Sequence, residues 1–365
     1  MRTAKLEKHD LMLFALLRAS LHGREVDRSI FLNASEDDWA ACYRLSVAQG
    51  VMALAWDGVL RLPAVLMPTR RLKLTWASRV VNYEDVYFGY CRAATELSRY
   101  YSLHGIRTLF LKGVGLSALY PIPSHREGGD IDIYTYSADR EKMTDAEANT
   151  LADALMREQG INVDTEYSKH SKFYYKGIPI ENHKHFLNIG SCKSASAIEE
   201  LLHVDMAPEN TPLKDGMILT PSASFNTLFI SYHACQHLEN GISIHHLCDW
   251  AMVIERYGLI IPDAVKDKGF LGGIYALTDL CNKYLGTSIE VPVDSSLSAT
   301  ILNEILHPKY QAQLPTKNKI GILIYKAGRL LYTHRLRSRV LRSSLTRRIL
   351  SSIIFHLRHP KSTFS

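Results

Sequence analysis

Residues 109–136, LFLKGVGLSALYPIPSHREGGDIDIYTY, decide how the rest of this 365-residue chain is read. The apolar run over 108–111 predicts a short strand, Lys112-Gly113 a tight turn, and the residues up to Tyr120 a short helix. Pro121 and Pro123 break the chain into a loop, and GGDIDIYTY predicts a second strand carrying Asp130 and Asp132. Side chains alternate faces along a strand, so the two carboxylates converge on one side while Ile131 and Ile133 turn to the other and pack. Two carboxylates beside a glycine-opened helix N-terminus can hold Mg²⁺ and a polyphosphate together. This stretch is the expected catalytic centre.

Working outward, residues 1–104 predict a helical region: helices over 10–23 and 36–50, a third over Val51 to Leu60, and one or two long helices over 69–104. Apolar and aromatic residues recur along the last of these at Trp76, Val80, Tyr83, Tyr87 and Tyr90, which reads as a packing face. Residues 105–192 change character. After the GGDIDIYTY strand comes a polar helix within 138–160, then short strands over 161–166, 172–176 and 178–181. That order describes a small mixed sheet with helices on one face. From Ala197 the pattern is helical again through 193–310, with helices over 224–238 and 245–257 and two or three more before Leu306. Residues 311–365 form a basic tail. The class expected is α+β.

Composition excludes several alternatives. A hydrophobic fraction of 46% with 22% charged residues is ordinary for a soluble globular protein. Six cysteines are scattered with no CxxC pair, which suits a reducing cytosol and argues against a cysteine-based zinc site. The longest apolar runs fall short of the ~20 residues a membrane span needs, and the N-terminus lacks the pattern of a signal peptide. The expected location is cytoplasmic. The net charge of +6 rests on the tail, where residues 326–365 carry Lys and Arg but no Asp or Glu. Arg335, Arg337, Arg339, Arg342, Arg347 and Arg348 alternate there with apolar residues. A solvated basic helix is the plain reading. The tail could also dock on an anionic membrane surface, peripherally at the inner face, or on an acidic partner. Nucleic acid is less favoured because aromatic residues for base stacking are sparse.

Around Asp130 and Asp132 other residues suggest roles. A bare pair of acids is a weak signal, but a like-charged pair on a strand entering a buried sheet is costly without a cation. Gly113 leaves backbone N–H groups free to meet a phosphate, Lys112 adds positive charge, and Arg126 lies four residues before Asp130. Glu181, following Ile178 and Ile180 and close to His183, is the candidate third acid, as a metal ligand or a general base. His233 and His237 share a helix face, His245, His246 and Asp249 sit on the next helix, and HxxxH with a nearby Asp could be a zinc site. A zinc metalloprotease needs Glu directly after the first His, where Ala234 stands, so these residues and His183 are read as the acceptor side of a cleft.

Taken together, these residues resemble the uncharacterised nucleotidyltransferase family known as NTP-transferase type 5, within the polymerase-β-like superfamily. The resemblance is carried by Leu111-Lys112-Gly113, Tyr120-Pro121, Arg126 with Asp130-Ile131-Asp132, Glu181 with His183, the His233/His237 helix, and Cys248-Asp249-Trp250. Upstream, Trp39 and Ala48-Gln49-Gly50-Val51 also look alike, and coverage runs over roughly residues 10–260. It implies a minimal nucleotidyltransferase core flanked by helical layers, with Asp130 and Asp132 matching the metal-binding pair and Glu181 the third acid. The superfamily usually carries Gly-Ser at the first turn, where this sequence has Lys112-Gly113 and then Val114. The expected reaction is Mg²⁺-dependent (or Mn²⁺-dependent) transfer of an NMP group from an NTP such as ATP to an unidentified acceptor. A non-catalytic relative that binds a nucleotide or partner, as an antitoxin or scaffold would, and a phosphotransferase on the same scaffold are the alternatives.

Overall fold

Three helices open the chain: α1 (Lys8–His22), α2 (Glu36–Ala48) and α3 (Met52–Leu60). Ser35 caps α2 by accepting the Asp38 N–H while Asp38 accepts the Ser35 N–H, and Gly23 ends α1 in the left-handed conformation. α1 and α3 touch so closely that a Cβ on Gly58 would stand 2.5 Å from the Leu16 carbonyl oxygen, so glycine is required there. The computed structural model describes residues 6–189, 193–239, 241–310, 318–342, 344–346, 349 and 350.

Residues 69–104 resolve into one helix, α4 (Arg70–Ser102). Its Trp76 is fully buried and donates its indole N–H to the Met52 carbonyl at 2.9 Å, tying α4 to α3. Truncating such a side chain costs about 3–5 kcal/mol. Gly105 then turns the chain into β1 (Ile106–Phe110).

The sheet is built from β1, β2 (Ile131–Ser137), β3 (His170–Tyr175), β4 (Ile178–His183), β5 (Glu209–Leu213) and β6 (Gly216–Thr220), in the order β3-β4-β2-β1-β6-β5. β1 runs antiparallel to β2 and parallel to β6, while β2 runs parallel to β4. The β3–β4 hairpin turns at Lys176-Gly177, both at positive φ, as a two-residue hairpin of this hand requires.

Three sequence expectations are corrected. Residues 161–166 form no strand, only an isolated bridge from Asp164 to Lys172. The β5–β6 hairpin lies in a stretch read as helical, so the sheet continues past residue 192. Helices also cover both faces of the sheet, not one. Ile131, Ile133, Phe110 and Ile180 pack with α4 and α6 (Asp145–Glu158), whereas Leu109, Leu111 and Tyr134 share a core with Phe186, Leu202 and Phe225.

That second core also joins the two helical regions. α7 (Lys193–Val204), α8 (Ala223–His237), α9 (Ile244–Tyr257), α10 (Lys268–Leu280) and α11 (Ser295–Leu306) bury residues in the same apolar cluster as α1–α3. α12 (Lys319–Val340) packs on α10 and α8 and is not wholly solvated: Arg337 is buried against Glu239, and Arg342 lies 3.7 Å from Asp267. Arg347 and Arg348 of the basic tail lie outside the described residues. Among those described, no helix is long and apolar enough to cross a membrane.

Candidate active site

Strand register brings the carboxylates together. β2 and β4 lie parallel with Asp132 opposite Glu181, and Asp130 immediately precedes β2. The Leu111 N–H donates to the Asp132 carbonyl at 3.1 Å, which extends the β1–β2 pairing and delivers Lys112 to the same end. Side-chain oxygens of Asp130, Asp132 and Glu181 all lie within 4.8 Å of one another. Ile131 and Ile133, between and after the aspartates, are fully buried on the opposite side, as strand alternation predicts.

Like charges this close need compensation. Lys112 Nζ lies 2.9 Å from Asp132 Oδ2, and His183 Nε2 lies 2.9 Å from Oδ1. Burial by itself pushes the Asp132 carboxyl up, but Lys112 and His183 outweigh it and hold the group well below the usual carboxylate range. Asp130 is pushed up, first by burial and then by the charge of Asp132. Glu181 is held down despite burial and Asp132, because Lys172 Nζ sits 2.6 Å from Oε1 and His170 Nδ1 3.3 Å from Oε2. The three acids are thus unequal: Asp132 is locked in its charged form and Asp130 is the easiest to protonate.

The donor set fits a hard divalent cation. Asp132 Oδ2 is buried without a hydrogen-bond partner, so the Lys112 ammonium reaches it only as an unaligned point charge. An orphaned carboxylate oxygen with two further carboxylates in reach is the environment that oxygen-seeking cations take.

The turn beside this cluster differs from the helix N-terminus expected for phosphate. Gly113 has φ +61° and ψ −120°, and a Cβ there would stand 3.1 Å from the Asp130 carbonyl oxygen. The helix that follows, α5, is a single turn over Val114–Ser117 and ends before Tyr120, so it carries little dipole. Lys112 and Gly113 are therefore at the carboxylates, while Arg126 is drawn away. Arg126 is buried, donates from Nε and Nη2 to both oxygens of Asp249 at 2.9 and 2.7 Å and from Nη1 to the Glu127 carbonyl at 3.2 Å, and lines the cleft that Asp130 also lines. Tyr120 donates to the same Asp249 carboxylate at 2.6 Å.

A family model for an uncharacterised nucleotidyltransferase matches residues 35–285. The chain belongs to that family. The matched span holds the whole sheet, the three acids and both histidine-bearing helices, and leaves α1, α11 and α12 outside. No curated protein and no solved structure matches the chain. Family membership supports nucleotidyltransferase activity on a nucleotide substrate; the three acids could hold a divalent metal, as could His170 with Glu181 and His183 in the same sheet.

Several residues that hold the candidate site together escaped the sequence reading. The Tyr83/Tyr90 stripe, read only as a packing face, grips the loop before Asp130. Tyr83 donates to the Gly128 carbonyl at 2.7 Å and accepts the Gly128 N–H at 2.6 Å, and Tyr90 donates to the Gly129 carbonyl at 3.1 Å. Behind β4, Asn149 of α6 donates to Asn182 Oδ1 at 3.0 Å and to the His183 carbonyl at 2.8 Å. Asn182 in turn donates to Asp153 at 2.9 Å, so a buried polar network fixes the strand that carries Glu181. The phenol and amide groups were the signal available, since each needs a partner when buried.

The residues assigned to an acceptor side divide. His183 belongs to the carboxylate cluster, and Asp249 is committed to Arg126 and Tyr120. His233 and His237 form a separate group with His246, and all three rings are held neutral, by burial first. Lys112 adds to that effect at His233 and His237, so its charge reaches them from the carboxylate side.

Proposed function

We propose that the protein is a divalent-cation-dependent nucleotidyltransferase that moves an NMP group from an NTP to an acceptor nucleophile and releases pyrophosphate. The observation that carries this reading is the convergence of the Asp130, Asp132 and Glu181 oxygens within 4.8 Å at the end of paired parallel strands. These three would hold Mg²⁺ or Mn²⁺. When bound, the cation would neutralise charge on the triphosphate and lower the pKa of the attacking hydroxyl.

The chain's own residues divide the remaining work. Lys112 offers its ammonium to the triphosphate, 2.9 Å from the carboxylate it otherwise neutralises. Gly113 keeps the turn open where a side chain would press on the Asp130 backbone. Arg126 adds charge through Nη1 while Asp249 holds its other edge. Glu181, the third acid, would complete the cation site or act as general base toward the acceptor. The histidines of α8 and α9 border the side from which an acceptor would approach.

The test is incubation with α-labelled and γ-labelled NTPs, Mg²⁺ or Mn²⁺ and a cell lysate. Nucleotidyl transfer puts the α-label on an acceptor and sends the γ-label into pyrophosphate. Label arriving from the γ-position would instead assign a phosphotransferase. Metal-dependent nucleotide binding with no label transferred, across a broad acceptor panel, would assign a non-catalytic binder.

A further inference from the structure

Besides the carboxylates, the described residues hold a ligand set of a different chemistry. His233 and His237 stand one turn apart on α8, and His246 sits in the first turn of α9. One ring nitrogen from each lies within 4.8 Å of the others. The His233 and His237 Nε2 atoms are 3.2 Å apart. Two imidazole nitrogens sharing a tetrahedral zinc at about 2.0–2.1 Å stand roughly 3.3 Å from each other, so this pair already has a ligand spacing. The His246 ring centre is 4.3 Å from that of His237 and 5.5 Å from that of His233.

We propose that His233, His237 and His246 form a transition-metal site, for Zn²⁺ in the first instance, distinct from the oxygen site that Asp130, Asp132 and Glu181 offer. The chemistry separates the two: imidazole suits zinc and its neighbours in the first transition row, whereas carboxylates suit Mg²⁺ and Mn²⁺. Ala234 stands where a metalloprotease would carry its glutamate, so the site is no protease centre. Cys235 does not complete it, since its sulfur faces α10, 2.7 Å from where a Gly273 Cβ would be. The fourth position falls to water or to an anion.

The surroundings hold the ligands in position. The Gly241 N–H donates to the His237 carbonyl at 2.8 Å, and Glu239, in the same α8–α9 connection, pairs with the buried Arg337 of α12. His246 Nδ1 accepts the Ser243 N–H at 3.1 Å and lies 2.9 Å from Ser243 Oγ. Ligation through His246 Nε2 moves the ring proton to Nδ1, where Ser243 Oγ accepts it and the N–H bond is given up. Ser243 is therefore the orienting partner of this ligand.

The experiment uses full-length protein carrying no histidine tag, stripped with a chelator and titrated with Zn²⁺, and with Co²⁺ as a coloured stand-in. One equivalent should bind, and Co²⁺ should give the intense visible absorption of a four-coordinate nitrogen site. His233→Ala with His237→Ala should abolish both, and Ser243→Ala should weaken affinity about ten-fold. Asp130→Asn with Asp132→Asn should leave zinc stoichiometry unchanged, which keeps this proposal separate from the nucleotidyltransferase reading. Absence of an equivalent in folded wild-type protein overturns the proposal. So does full stoichiometry in a folded double variant, with His233→Gln/His237→Gln used if the alanine pair fails to fold.

Discussion

The acids at the end of the sheet and the histidines on α8 and α9 feel the charge of the same lysine, yet the fold assembles them by opposite means. At the sheet, register forces like charges together; Lys112 and Lys172 compensate them, and His183, held neutral by burial, adds a hydrogen bond to Asp132. At the helix pair nothing is compensated, because burial keeps the rings uncharged. A compensated cluster stands without its cation, and the cation must compete with groups already in place. A neutral cluster displaces no counter-charge on binding. The Arg126–Asp249 pair lies between these regimes, since both charges are buried and each depends on the other.

That dependence supplies the largest expected effect. Arg126→Ala leaves Asp249 buried and uncompensated and should lower stability by about 3–5 kcal/mol in urea unfolding. Replacing both partners with apolar residues of similar volume should recover most of the loss. Glu127 gives an intermediate effect. Burial pushes its carboxyl up to about 7 while Oε1 accepts the Ala53 N–H at 2.9 Å. The folded state therefore binds the proton more tightly than the unfolded chain, so stability falls as pH rises from about 4.5 to 7 and stays reduced above. Glu127→Gln keeps the acceptor and removes the charge, and should add about 2 kcal/mol at pH 8 and nothing near pH 4. The smallest effect belongs to Tyr83→Phe, which strips both bonds from Gly128 at a cost of about 1 kcal/mol. A fall in kcat larger than that stability loss accounts for would sharpen the role of Tyr83 in positioning Asp130.

How much could be read in advance follows the same division. GGDIDIY announces its strand and the face its acids take, because alternation is local, and the placement of Ile131 and Ile133 follows directly. Glu181 was legible as a strand-end acid, but its register against Asp132 depends on a parallel pairing that no local pattern encodes. The β5–β6 hairpin was missed because its strands are five residues each, β5 is largely exposed with no apolar run, and the three-residue run Met217-Ile218-Leu219 of β6 is too short to tell strand from helix. Its turn at Lys214-Asp215 ahead of Gly216 was the available cue. His246 was legible as a histidine on the helix after His233 and His237, but which of His245 and His246 meets them depends on how α8 and α9 pack. The pairing of Arg126 with Asp249 was not legible because the two lie 123 residues apart in sequence.

The most direct test of the central claim is transfer of label from an α-labelled NTP by wild-type protein and by Asp130→Asn/Asp132→Asn, with circular dichroism and thermal unfolding run alongside. Asparagine keeps the shape of each aspartate and Glu181 remains to act on Lys112, so the double variant should stay folded and lose all metal-dependent transfer. Unchanged transfer by a folded double variant would contradict the account.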